Sequence, residues 1–219
     1  VGASNPTASG FYLSHEEEGD LRLFHRDESG NEGAVVTTEF YRDVTSWIHI
    51  LVDYDSANAN SADRITMYVN GKKVGVNSGT RPAQNKSIMV NTEGEIERIG
   101  QDFSTTPNYH GAMYLAQTFL MDNKSIVNGD HATTDFLDTF GTNGSQIIPK
   151  SNDDIKTLVA AAGVNSFFLN YEDTTAKGSV AGVVRDRKAT ESTNHVLGIT
   201  PTMSEGVQAG AAANVANGF

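Results

Sequence analysis

The chain has no cysteine, which excludes disulfides, thiolate metal sites and cysteine nucleophiles and leaves the redox compartment unreadable. Basic residues are scarce: 16 Lys and Arg stand against 27 Asp and Glu, a formal net charge of −11. Coating nucleic acid needs clustered cations that release counterions. The one basic cluster, Arg185-Asp186-Arg187-Lys188, is short and interrupted by an acid, as a solvated loop would be. No nucleic-acid partner is expected. No apolar run approaches the roughly 20 residues that span a bilayer, and no charged segment precedes a hydrophobic signal core at the amino end. Membrane insertion is not expected either. The chain opens on Val1 rather than methionine, as a processed chain or an excerpt of a longer one would.

What is present points to a turn-rich globular chain: 21 glycines, only 5 prolines and 38% hydrophobic residues. At 219 residues one sizeable core can form, and β-sandwiches of this length are often single domains. Short apolar stretches bounded by Gly, Asn, Asp and Ser predict strands near 11–15, 20–25, 34–39, 47–54, 64–69, 72–76, 87–91, 95–99, 111–121 and 166–171. The sharpest signal is the hairpin at 64–76. Ile65, Met67 and Val69 alternate with Thr66 and Tyr68, and Asn70-Gly71 supplies two positive-φ positions for a tight turn. Trp47 to Tyr54 carries apolar residues on both faces, which predicts a central strand buried between two layers. The small polar residues from Ser56 to Asp63 predict an exposed, tolerant loop.

One helix stands out. Ile155, Leu158, Val159 and Ala162 fall at i, i+3, i+4 and i+7, with Ser151 or Asn152 to cap and Gly163 to stop it. A short helical turn is predicted near Thr133 to Leu137. The fold class is therefore all-β, an antiparallel β-sandwich of jelly-roll type with one or two short peripheral helices. Residues 1–176 are expected to form it, and the Gly/Ala/Asn-rich 177–219 to be an extended interchain contact or linker.

The run Phe40-Tyr41-Arg42-Asp43-Val44-Thr45-Ser46-Trp47-Ile48-His49-Ile50, then Asp53, then Arg64 to Gly71, resembles the core of the laminin-G-like, concanavalin A-like lectin/glucanase superfamily. Arg98-Ile99-Gly100, Tyr109-His110-Gly111-Ala112 and Ala116 to Asp122 continue the order. Phe140-Gly141-Thr142-Asn143-Gly144, followed by Phe167-Phe168-Leu169-Asn170, resembles a branch found in bacteriophage structural proteins. That resemblance implies a strand or two before Phe11, where this chain starts almost at once, so its sheet is expected either to lack N-terminal strands or to be completed by further sequence or another subunit. The helix over 153–162 reads as an insertion.

The resemblance also frames the chemistry. Glycosidases on this fold use paired carboxylates, and Glu93, Glu95 and Glu97 alternate onto one side of a strand. The Glu-x-Asp-x-x-Glu arrangement of the family's glucanases is missing, and a half-solvated strand gives the same alternation. No catalytic residues are expected. His15, His25, His49, His110, His131 and His195 show no zinc spacing, and His49 reads as a hydrogen-bonded structural residue. Relatives of laminin-G type hold calcium at the sandwich rim, which makes Asp102, Asp122 and Asn123 candidate ligands; turn residues bonding their own backbone give the same pattern. No cofactor is otherwise required. For carbohydrate, Phe103, Tyr109 and His110 beside Asp102 and Asn108 offer a ring and polar acceptors, although a Tyr anchoring its loop to the core does so too.

The functional expectation is a non-catalytic structural or attachment module on a virion surface, packed against copies of itself and neighbouring virion proteins and touching host-surface glycans. The alternative is a secreted carbohydrate-binding module or glycan-active enzyme of the same fold.

Overall fold

The structure, a computed structural model, describes residues 2–4, 10–43, 45–77, 79–88, 97–99, 114–142 and 146–170. Its strands are β1 (Gly2–Ser4), β2 (Gly10–His15), β3 (Leu21–Arg26), β4 (Glu32–Val36), β5 (Ile50–Tyr54), β6 (Ile65–Val69), β7 (Lys72–Lys73), β8 (Glu97–Arg98), β9 (Thr118–Leu120), β10 (Leu137–Phe140), β11 (Gln146–Pro149) and β12 (Phe167–Leu169). The helix α1 spans Asn152–Ala160, and 3₁₀ turns lie at Ser61–Asp63 and Thr133–Asp135. The chain divides into two compact units, one of Pro6–Ile88 with Lys124–Ser151 and one of Val1–Asn5, Met89–Asn123 and Asn152–Phe219.

In the first unit β2, β3 and β4 form one antiparallel ladder and β5, β6 and β7 another. Their facing side chains make the core: Leu21 and Leu23 from β3, Val35 from β4, Ile65, Met67 and Val69 from β6, and Val74 beyond β7. Period-two alternation builds it, since Leu21, Leu23 and His25 point inward while Arg22, Phe24 and Arg26 do not. On the outer face Tyr12 stacks on Phe24 with centroids 4.9 Å apart, and the Arg22 guanidinium lies over both rings. All five residues of β6 are buried, because its other face is also covered: Gly71 meets Leu137, and Asp53 of β5 accepts from Ser125 Oγ at 2.9 Å and the Val127 amide at 2.8 Å.

The hairpin forms as predicted, with Asn70 at φ 51° and Gly71 at φ 77°. It also corrects the reading of Trp47. With Ile50 opposite Val69, the turn residues 70 and 71 lie where partners for Ile48 and His49 belong, and the chain has reversed before Trp47 can join the ladder. Strand β5 therefore starts at Ile50, Trp47 is 63% exposed, and β6 rather than the tryptophan segment is central in its sheet.

In the second unit β9 pairs antiparallel with β12, and Phe167, Phe168 and Leu169 are buried beside Ile155 and Val159 of α1. The helix matches its predicted face, and Gly163 ends it by donating its amide to the Asp122 carbonyl at 2.8 Å. Strand β1 pairs with β8, so a strand does precede Phe11, contrary to expectation. Strands β10 and β11 were not foreseen, residues 87 and 88 are irregular rather than extended in a strand, and the strand expected over 111–121 is confined, among described residues, to Thr118–Leu120. Residues 177–219 lie outside the described set. No helix among the described residues is long and apolar enough to cross a membrane.

These placements separate two residues that hydrophobicity alone ranks together. Met67→Ala should cost about 2–5 kcal/mol by opening a cavity in the core, whereas Trp47→Ala should change stability by no more than about 0.5 kcal/mol. Urea unfolding of both variants checks the register that excludes Trp47.

Candidate functional site

The site begins with a strand that changes partners. Val74 still donates to Met67 of β6, but Thr38 donates to the Gly75 carbonyl, Thr37 bridges Val76, and Asn77 donates to the Val36 carbonyl. The chain thus passes from one sheet to the other, a corner that joins the two layers. It then runs antiparallel to β4 toward the end where the β3–β4 turn and the β5–β6 loop lie. Two glycines let it lie close. A Cβ on Gly79 would stand 1.9 Å from the Ala34 carbonyl oxygen, and one on Gly33 would stand 2.5 Å from the Thr80 carbonyl oxygen. Buried His25 completes the clasp, its Nε2 lying 3.0 Å from that Thr80 oxygen.

Beyond this clasp lies a groove of about 550 Å³ lined by Asn31, Ser61, Arg64, Gly79, Arg81 and Pro82. Asn31 comes from the β3–β4 turn, Ser61 and Arg64 from the β5–β6 loop, and the rest from the corner segment. Arg64 is fixed by three carbonyls: Nε donates to Asn58 at 2.8 Å, Nη1 to Pro82 at 3.0 Å and Nη2 to Ala59 at 3.3 Å. The loop read as merely tolerant is therefore tied down through Arg64, and Asn60 caps its 3₁₀ turn. Arg81 is different. It makes no hydrogen bond or ion pair among the described residues, its Nη1 is buried without an acceptor, and burial lowers its pKa. Asn31 Nδ2 already donates to the Asp27 carboxylate at 3.0 Å, so the groove offers hydroxyl and guanidinium donors to a polar ligand, with the Asn31 Oδ1 as an acceptor.

The carboxylates nearby are engaged elsewhere. Asp27 accepts from the Ser29 and Asn31 amides, Asp55 from the Ala57 amide, and Asp63 from the Asn60 side chain and Lys73. Burial lowers the His25 pKa, against the opposing pull of the Thr80 bond. At the opposite end of the same unit the loop between β4 and β5 exposes Trp47 and Phe40, the latter under the Arg42 guanidinium at 4.6 Å. His49 in that loop was read as hydrogen-bonded; instead its Nδ1 is buried with no partner among the described residues, and burial lowers its pKa to about 4.

Of the residues singled out in the sequence, Asp102, Phe103, Asn108, Tyr109 and His110 lie outside the described set, as do the side chains of Glu93, Glu95 and Glu97. Asp122 and Asn123 form a turn after β9. The Asp122 amide donates to Ser166 Oγ at 2.9 Å, and Asn123 takes φ 58°, the left-handed conformation that Asn tolerates. Asp102, the third candidate calcium ligand, lies outside the described set, and no group of three acids, histidines or cysteines suited to a metal occurs among the described residues. Arg81 was missed because a lone arginine in a loop has no diagnostic spacing; the adjacent Gly79 and Pro82 were its only signal.

A family model described as the concanavalin A-like lectin/glucanases superfamily matches residues 1–117. No curated protein and no solved structure matches the chain.

The unbonded histidine carries a pH signature. Its folded pKa lies below the unfolded value of 6.5, so the unfolded chain binds the proton first, and stability is lost as pH falls from about 6.5 to about 4. The loss amounts to at most about 3 kcal/mol. Thermal melts at pH 7 and pH 4.5 should differ less for His49→Leu than for the native chain; equal differences would refute the assignment.

Proposed function

The chain belongs to the concanavalin A-like lectin/glucanases superfamily, and from that premise we propose that it is a non-catalytic carbohydrate-binding attachment module whose groove between Asn31, Ser61 and Arg81 receives the glycan. The observation that carries the reading is a groove at which the Arg81 guanidinium has no partner among the described residues. Protein polar groups that are buried normally find a hydrogen bond, and sugar hydroxyls and oxyanions are acceptors of the required kind. The Asp27–Asn31 turn, the loop tied by Arg64 and the glycine-fitted corner hold the backbone of the lining in place, which limits the ordering cost of binding.

A non-catalytic role fits the same lining. Glycoside hydrolysis needs two carboxyl groups facing the scissile bond, and the described groove lining contains none. Display on a virion surface, among copies of the chain and neighbouring virion proteins, is a finer reading. Its support is the motif order from Phe140 to Gly144 and Phe167 to Asn170. Fold alone does not fix function, and a secreted binding module shares every feature of the groove.

A glycan array probed with the native chain and with Ser61→Trp tests the proposal. Ser61 is exposed on the groove wall, so tryptophan there should obstruct the groove without disturbing the core. Retention of a subset of glycans, lost at least tenfold in the variant, is expected, together with no release of reducing ends from a polysaccharide panel. Binding that ignores Ser61→Trp would place the site elsewhere, and hydrolysis would contradict the non-catalytic reading.

A further inference from the structure

We infer that the groove selects anionic glycans, sugars bearing a carboxylate or a sulfate, with Arg81 as the residue that receives the oxyanion. The inference rests on the carbohydrate-binding reading and adds the charge of the ligand. Its basis is a mismatch of charges. In a chain of net charge −11 acids outnumber bases, and four of the ten Lys and Arg of this unit lie against a carboxylate. Arg26 lies 3.4 Å from Glu32, Lys73 3.4 Å from Asp63, Lys86 3.4 Å from Glu28 and Lys150 2.6 Å from Asp138. The two guanidinium groups in the groove do not. Arg64 bonds only neutral carbonyls, and Arg81 bonds nothing among the described residues.

Two positive charges therefore share one concavity with no neutralising partner among the described residues. Asp27, Asp55 and Asp63, the acids of the surrounding loops, are turned to their own amides or to Lys73, so they are not free to swing in. A partly buried cation without a counter-ion is costly, and the cost is relieved when a ligand supplies the missing oxyanion. Guanidinium is suited to this, because its planar fork meets the oxygens of a carboxylate or sulfate in charge-assisted bonds stronger than those to a neutral hydroxyl. Since Arg64 is held by three carbonyls, it contributes field and shape, while Arg81 has its donors unassigned. The Ser61 hydroxyl and the Asn31 Oδ1, both in the groove lining, are left to meet neutral hydroxyls of the same sugar.

The experiment is isothermal titration of the full chain with three oligosaccharides of matched length: a uronic acid oligomer, a sulfated neutral-sugar oligomer and the unsulfated parent. Arg81→Gln and Arg81→Lys are titrated alongside. At least one anionic oligomer should bind ten times tighter than the neutral one at low salt, with the advantage shrinking as ionic strength rises. Whether the uronic or the sulfated oligomer wins identifies the oxyanion. Arg81→Gln should erase the preference and leave the melting temperature unchanged or raised, because it removes an uncompensated charge; Arg81→Lys should keep part of the preference. Equal binding of all three oligomers, or a preference that survives Arg81→Gln, would overturn the inference while leaving the carbohydrate reading intact. No binding of any oligomer, with none retained on the glycan array, would remove that reading and the inference with it.

Discussion

The approach of the corner segment to strand β4 governs everything else in the groove-bearing unit. A chain leaving β6 would normally continue along its own sheet, yet after Val74 its hydrogen bonds pass to Thr37, Thr38 and Val36. That transfer closes one side of the sandwich, places Val74 and Val76 against the core, and carries residues 79–82 to the end where the other loops gather. Only a residue without Cβ fits at Gly79, where the Ala34 carbonyl stands in the way, and Gly33 makes the matching room for Thr80. Backbone proximity is what carries Arg81 to the groove, where it has no partner among the described residues.

This separates two scales of electrostatics. The net charge of −11 describes the chain as a whole. It says nothing about a groove in which the local acids are consumed by their own turns. Ligand recognition follows the local arrangement, because interactions at a few ångströms across a partly desolvated site outweigh screened charges farther away. Superfamily membership, in turn, supplies the sandwich and the expectation of carbohydrate, and the proposed selectivity rests on the groove.

Much of the fold was legible in the sequence because its signals are local. The Asn-Gly turn, the alternation of Ile65, Met67 and Val69, and the helical face of Ile155 and Val159 each depend on neighbours within one turn or one strand. The failures were of longer range. Trp47 has the composition of a buried strand residue, but its exclusion follows from a register set by the turn 23 residues later, where Asn70 begins the reversal. Strands β10 and β11 are short and half exposed, so Leu137 and Ile147 gave little periodic signal. The candidate site was less legible still. What marks Arg81 is the lack of a partner, a property of folded space with no trace in spacing, whereas the residues chosen by composition at 102–110 fall outside the described structure.

The account turns on an oxyanion meeting a waiting guanidinium at the end of the sandwich, and a crystal structure of the chain grown with an acidic oligosaccharide tests it most directly. The account requires the acidic group within hydrogen-bonding distance of Arg81, about 2.7–3.2 Å, with Gly79 still seated against Ala34. Density for the sugar stacked on Trp47 or held by residues 102–110, with the groove unchanged, would contradict it.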